Sequence, residues 1–223
     1  MSTPRRLISS LLVGAGSLAL ATAASGQSGT SVYEGDWPEY HGDYFAQRYS
    51  PLDQINSENV GGLEIAWQFS TQNFGPSTDF NNPSTPIEIS GVLYANIGST
   101  RNVVALNATT GQVLWLWRPQ EGERFDEAPR KGAGRGVAYW TDGDKKRVID
   151  VTPGYHLVSL DAETGVPDPE FGQDGIVDLF LGLRNADDPR FPFPDIGLSA
   201  APFVMNDVIV VGAAHRVGMR PRS

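Results

Sequence analysis

None of the 223 residues is a cysteine. That excludes disulfides, and it removes the residue to which a lipid anchor near the amino terminus would be attached. Positive charge is scarce as well: 17 Lys and Arg against 26 Asp and Glu leave a net charge of −9. Nucleic acid is excluded as a partner on that ground, because binding phosphates needs clustered basic side chains. The one basic cluster, Lys145-Lys-Arg147, follows Asp142-Gly-Asp144 and reads as a solvated hairpin tip. Only three histidines occur, and His41 and His156 stand without the spaced partners that a metal site requires. No serine, histidine and acid cluster points to hydrolysis, and no calcium-binding loop points to a lectin. Long apolar runs are confined to residues 7–21, too short for a membrane span.

Glycine and proline, by contrast, are plentiful, at 25 and 16 residues spread between short apolar runs. Such punctuation implies many turns and few long helices, hence an all-β chain. At the amino terminus, Arg5-Arg6, the apolar residues 7–21 and the small residues Ala23-Ala-Ser-Gly26 reproduce the three parts of a secretory signal peptide. Residues 1–26 are thus expected to be removed, leaving 15 basic and 26 acidic residues and a net charge of −11. The arginine pair leaves both the general and the twin-arginine export routes open.

The central pattern is a phrase written twice, Val104-Ala-Leu-Asn-Ala-Thr-Thr-Gly111 and Val158-Ser-Leu-Asp-Ala-Glu-Thr-Gly165, 54 residues apart. A fixed period of this size marks a repeat architecture. Each copy reads as a strand closing into a tight turn whose glycine takes positive φ. The first copy ends in Trp115, where the second has Pro169. Around these phrases, residues 63–69 alternate as a half-buried strand, and Ser90-Gly91 and Asp142-Gly-Asp144 mark hairpins. A third unit begins at Ser199. Strand-turn-strand-strand-turn units in series read as blades of a β-propeller. A propeller must close into a ring, since an arc leaves edges and sheet faces uncovered. Two blades and the start of a third are therefore expected to be the front part of a longer domain, covering residues 27–223.

Trp37-Pro-Glu-Tyr, Arg48-Tyr-Ser-Pro-Leu-Asp-Gln-Ile-Asn56, the Ala-x-Asn-x-x-Thr-Gly-x-x-x-Trp phrase and Arg135-Gly-Val-Ala-Tyr139 together resemble the dehydrogenases that depend on pyrroloquinoline quinone (PQQ), most closely their glucose dehydrogenase-like branch. The resemblance covers nearly all of residues 31–223. It implies an eight-bladed propeller in which tryptophans dock neighbouring blades, with Trp115, and Trp67 in its own strand, in that role. It also implies oxidation of a sugar or alcohol by PQQ, assisted by Ca2+ whose ligands lie in later blades, with electrons leaving to a quinone or cytochrome. The expected setting is the periplasm, either free or at a membrane. The 223-residue chain alone is expected to be inactive even with PQQ and calcium.

PQQ is a flat anion with three carboxylates and an ortho-quinone, so its site needs guanidinium and hydroxyl groups. The resemblance gives Arg135 a cofactor carboxylate; the alternative is a loop arginine paired with a local acid such as Asp126. Thr152 falls where a threonine hydroxyl reaches the cofactor, or it serves only the turn. His215, in Val211-Gly-Ala-Ala-His-Arg216, lies either at the pocket floor or on a solvent-facing loop. Lys131 stands where one glucose-oxidising subgroup has histidine, and either charges the cofactor pocket or is solvated surface. Without cysteine, the vicinal disulfide of the alcohol branch is impossible at residues 130–134, which favours sugars or polyols. Pro83 stands where many members have a glutamate, leaving no acid contact from the first blade. The competing class is a propeller scaffold of the cell envelope, which shares the repeat phrase but not the Arg-Gly-Val-Ala-Tyr element and usually carries an anchoring cysteine.

Overall fold

The structure, a computed structural model, describes residues 35–183, 186–187 and 195–215, the side chain of His215 excepted. The expected signal segment 1–26 lies outside the described residues. Two four-stranded antiparallel sheets form the bulk of the molecule. The first blade runs β1 (Ile87–Ile89), β2 (Val92–Ile97), β3 (Asn102–Asn107) and β4 (Val113–Trp117). After a short helix α1 (Glu123–Glu127), the second runs β5 (Ala138–Thr141), β6 (Lys146–Val151), β7 (His156–Asp161) and β8 (Ile176–Asp178). Next come β9 (Ile196–Gly197), the hairpin β10 (Phe203–Met205) and β11 (Val208–Val210), and β12 (Ala214–His215), which pairs back on β9. This is the blade series of a β-propeller.

Alternation along each strand sends successive side chains to opposite faces. In β6, Val148 joins a core shared with the first blade, through Ile87, Tyr94 and Val103, whereas Ile149 and Val151 join one shared with Leu198 and Val204. A sheet covered on both faces needs apolar residues at nearly every position, which explains the unbroken Val-Leu-Tyr-Ala of β2. The first strands converge toward one axis: β5 lies against β10, and the Thr85 amide before β1 donates to the Arg135 carbonyl before β5 at 2.9 Å.

At the opposite edge the repeat phrases perform the same task twice. The Trp67 indole donates to the Ala108 carbonyl at 3.0 Å, and the Trp115 indole donates to the Ala162 carbonyl at 2.9 Å. Each ring lies flat over the glycine of the phrase it meets: a Cβ on Gly111 or Gly165 would sit 2.5 Å from the indole, and φ is +70° and +71° there. Glycine satisfies both demands at once. The asparagine or aspartate of the phrase builds the turn, since Asn107 and Asp161 Oδ1 each accept two backbone amides and a threonine hydroxyl.

Two expectations are corrected. Residues 63–69 form no strand, and Ile65 is 75% exposed; alternation makes a strand only where a partner backbone is present, and among the described residues none pairs with this segment. The tip Lys145-Lys-Arg147 is not simply solvated. Arg147 is half-buried and bridges Asp168 at 2.6 Å and Asp161 at 3.2 Å, because β7 pairs Asp161 opposite it and the chain after β7 turns back so that the Asp168 amide donates to the Ser159 carbonyl at 2.8 Å. Lys146 pairs with Glu163 at 3.1 Å, and Lys145 pairs with Glu170.

Candidate cofactor rim

The converging strand starts and the β2–β3 and β6–β7 turns share one end of the blades. Arg135 stands there at the entry to β5, with its side chain exposed and its guanidinium unpartnered among the described residues. Asp126 does not pair with it. A Cβ on the following Gly136 would lie 2.9 Å from the Thr85 carbonyl, 3.5 Å from the Tyr40 ring and 3.8 Å from Ala201. Arg135 therefore sits where three inner segments meet.

The other expected site residues are placed differently. Thr152 is 2% exposed, and its hydroxyl donates to Glu121 Oε1 at 2.5 Å while accepting from the His156 amide at 3.1 Å. Lys131 donates to the Asp126 carbonyl at 2.6 Å and lies 5.0 Å over the Phe125 ring, clipping α1. The backbone of His215 pairs with Ile196 in the β9–β12 ladder, and its side chain lies outside the described residues.

Sequence reasoning missed the carboxylate that organises this end. Glu121 collects the Thr152 hydroxyl, the Gly154 amide at 2.9 Å and His156 Nδ1 at 2.6 Å. Burial alone would raise its pKa, but the hydrogen bonds from His156, Thr152 and Gly154 outweigh that and hold it below the ordinary value. His156, isolated in the sequence, thus has a partner 35 residues away. Alongside, Arg124 forks onto Asp178 at 2.5 and 2.6 Å and donates to the Gly154 carbonyl at 2.9 Å. Replacing Glu121 with alanine is expected to cost about 2 kcal/mol at neutral pH, since it orphans the Gly154 amide and two side chains. A folded pKa below the unfolded value gives stability that is present above the unfolded pKa and fades as pH falls. The gap between variant and parent should accordingly shrink in acid, as read by denaturant midpoints.

A second buried group also went unread. Arg101, 2% exposed, projects from the β2–β3 turn and donates to four carbonyls: Gly132 at 3.1 Å, Val151 at 2.8 Å, Leu198 at 2.6 Å and Arg130 at 2.9 Å. Across the blade interface, Asp150 on β6 is buried, and burial pushes its carboxyl up to about 6 against the opposing influence of Arg101 and the neighbouring Asn96. The only signals for this pair were an aspartate interrupting the apolar run Val148-Ile-Asp-Val151 and the glycines around residues 132–136.

Among the described residues, no group of three or more His, Cys, Asp or Glu is arranged to hold a metal ion, and no helix is long and apolar enough to cross a membrane. A cavity of about 380 Å³ between the blades, lined by Ser90, Tyr139, Gly143 and Lys146 among others, opens at the end opposite Arg135.

The family model for the PQQ β-propeller domain of glucose, ethanol and alcohol dehydrogenases matches residues 37–223. The chain belongs to this family. It is 37% identical over 172 residues to the dehydrogenase subunit of the quinone alcohol dehydrogenase of Gluconobacter oxydans (strain 621H), covering 73% of this chain and 21% of that protein. It is 31% identical over 208 residues to the glycerol dehydrogenase large subunit of Gluconobacter thailandicus, covering 89% of this chain and 27% of the relative. Among solved structures, the quinohemoprotein alcohol dehydrogenase from Comamonas testosteroni superposes with a TM-score of 0.60 at 28% identity, over 81% of this chain and 23% of the other. The chain thus spans about a fifth to a quarter of the length of these relatives, and its family is one of oxidoreductases.

Proposed function

We propose that the chain forms the opening blades of a PQQ-dependent dehydrogenase that oxidises a hydroxyl carbon of a sugar or polyol in the periplasm and passes electrons to a quinone or cytochrome. One observation carries the reading: the unpartnered, exposed guanidinium of Arg135 stands at the entry to β5, where the first strands converge. Its chemistry suits PQQ, because a planar fork matches a carboxylate bidentately. When bound, PQQ supplies the two-electron acceptor. Arg135 would fix one carboxylate of that flat anion and so its orientation over the axis. Thr152 and Lys131 act through other groups, Thr152 by seating Glu121 and Lys131 by clipping α1 beside the rim. Among the described residues no group of three or more carboxylates or imidazoles is arranged to hold calcium. Export rests on residues 1–26, which have the layout of a signal peptide. A sugar or polyol substrate rests on the lack of a cysteine pair before Arg135 and on the glycerol dehydrogenase among the relatives.

The test is calorimetric titration of PQQ into the whole apoprotein. Losing a charge-assisted hydrogen-bonded contact of roughly 1.5–3 kcal/mol should weaken binding by about ten- to a hundredfold in Arg135→Gln. An affinity within twofold of the parent would overturn the reading.

A further inference from the structure

We infer that Arg101 is the positioning residue of the cofactor rim: from inside the blade interface its guanidinium fixes the loop that presents Arg135. The inference rests on the reading of Arg135 as a PQQ contact. Its four acceptors belong to three segments that reach the rim. Arg130 and Gly132 begin the loop to Arg135, Val151 precedes Thr152, and Leu198 leads to the inner strand of the third unit. One side chain of the first blade thereby sets the spacing of the second and third.

The loop is shaped to wrap this group. Gly134 has φ of +78°, and a Cβ there would lie 2.9 Å from Arg101 Nε, so the backbone passes against the guanidinium where no larger residue fits. Arg101 itself has φ of +57°, a left-handed conformation uncommon outside glycine and kept only where surrounding contacts determine it. A buried guanidinium is retained at such a place when its donors are met and a counter-charge is near. The four carbonyls meet the first condition, and Asp150 meets the second. A solvated loop would need none of this. Arg135, one residue past Gly134, inherits a backbone position set from beneath.

Lysine at 101 keeps the charge facing Asp150 but replaces a planar fork with a point ammonium that cannot span four carbonyls. Calorimetric titration of PQQ into the whole Arg101→Lys apoprotein is expected to show affinity reduced by about tenfold or more, as small displacements of a positioned charge do. Amide exchange should quicken in residues 131–136 while the amides of β3 and β7 keep their protection. The double variant Arg101→Met with Asp150→Asn removes both buried charges, and its folded form should show the same weakened binding. Arg135→Gln runs in parallel. If that variant binds weakly while both Arg101 variants, folded, bind PQQ within twofold of the parent, the positioning role is overturned and the cofactor reading stands. If Arg135→Gln also binds normally, the cofactor reading fails and the inference falls with it.

Discussion

Replacing Trp115 with alanine is expected to destabilise the protein by about 3–5 kcal/mol, the range for truncating a large buried aromatic. The indole is 9% exposed, donates to the Ala162 carbonyl at 2.9 Å, covers Gly165 and lies 5.9 Å from the Tyr94 ring. Alanine would leave a cavity at the seam of two blades. It would also leave the Ala162 carbonyl with the Tyr94 hydroxyl as its remaining donor, at 3.2 Å. Phenylalanine keeps most of the packing and loses the N–H, so Trp115→Phe should cost only about 1–2 kcal/mol. Gly165→Ala attacks the same contact from the other side, since its methyl would meet the ring 2.5 Å away. Urea unfolding with an unchanged slope reads all three. A loss below about 1 kcal/mol for Trp115→Ala would mean that the blades are not locked through this ring.

Glu39→Gln is expected to stabilise the protein at alkaline pH. Glu39 is buried on the segment beside β1, and burial pushes its pKa from 4.5 up to about 7. A carboxyl with a folded pKa above its unfolded one holds its proton more tightly in the folded state. It therefore favours folding fully below the unfolded value, and that contribution is lost as pH rises through about 7. A displacement of this size, at about 1.4 kcal/mol per pH unit, is worth roughly 3 kcal/mol at pH 8 and less than about 1 kcal/mol at pH 5. The variant, neutral throughout, should gain most of that at pH 8 and little at pH 5. Thermal melts at the two pH values decide it, and a gain independent of pH would contradict the burial of an ionisable group.

What the sequence disclosed was local. Asn/Asp-Ala-x-Thr-Gly closes a turn with its own side chains, so the positive φ of Gly111 and Gly165 was readable from the phrase, whereas the docking role of Trp115 came from the family resemblance and its landing place on Gly165 from the structure. The docking role of Trp67 was readable only through that resemblance. Its strand was not, because alternation in residues 63–69 says nothing about whether a partner backbone is present. The rim was legible only where a side chain stands alone. Arg135 was named, and the structure leaves it exposed and unpartnered among the described residues, whereas Thr152 and Lys131 were named without the partners that hold them, Glu121 and the Asp126 carbonyl. Glu121 and His156 lie 35 residues apart, and Arg101 reaches Leu198 across 97. Pairings of that range depend on how blades stack, which no short window of sequence carries.

The most direct test of the account is a crystal structure of the whole protein loaded with PQQ. The account predicts a PQQ carboxylate within about 3 Å of the Arg135 guanidinium, a charge-assisted hydrogen-bond distance. PQQ bound away from the converging starts of β1 and β5, with Arg135 turned to the outer edge of the blades, would contradict it.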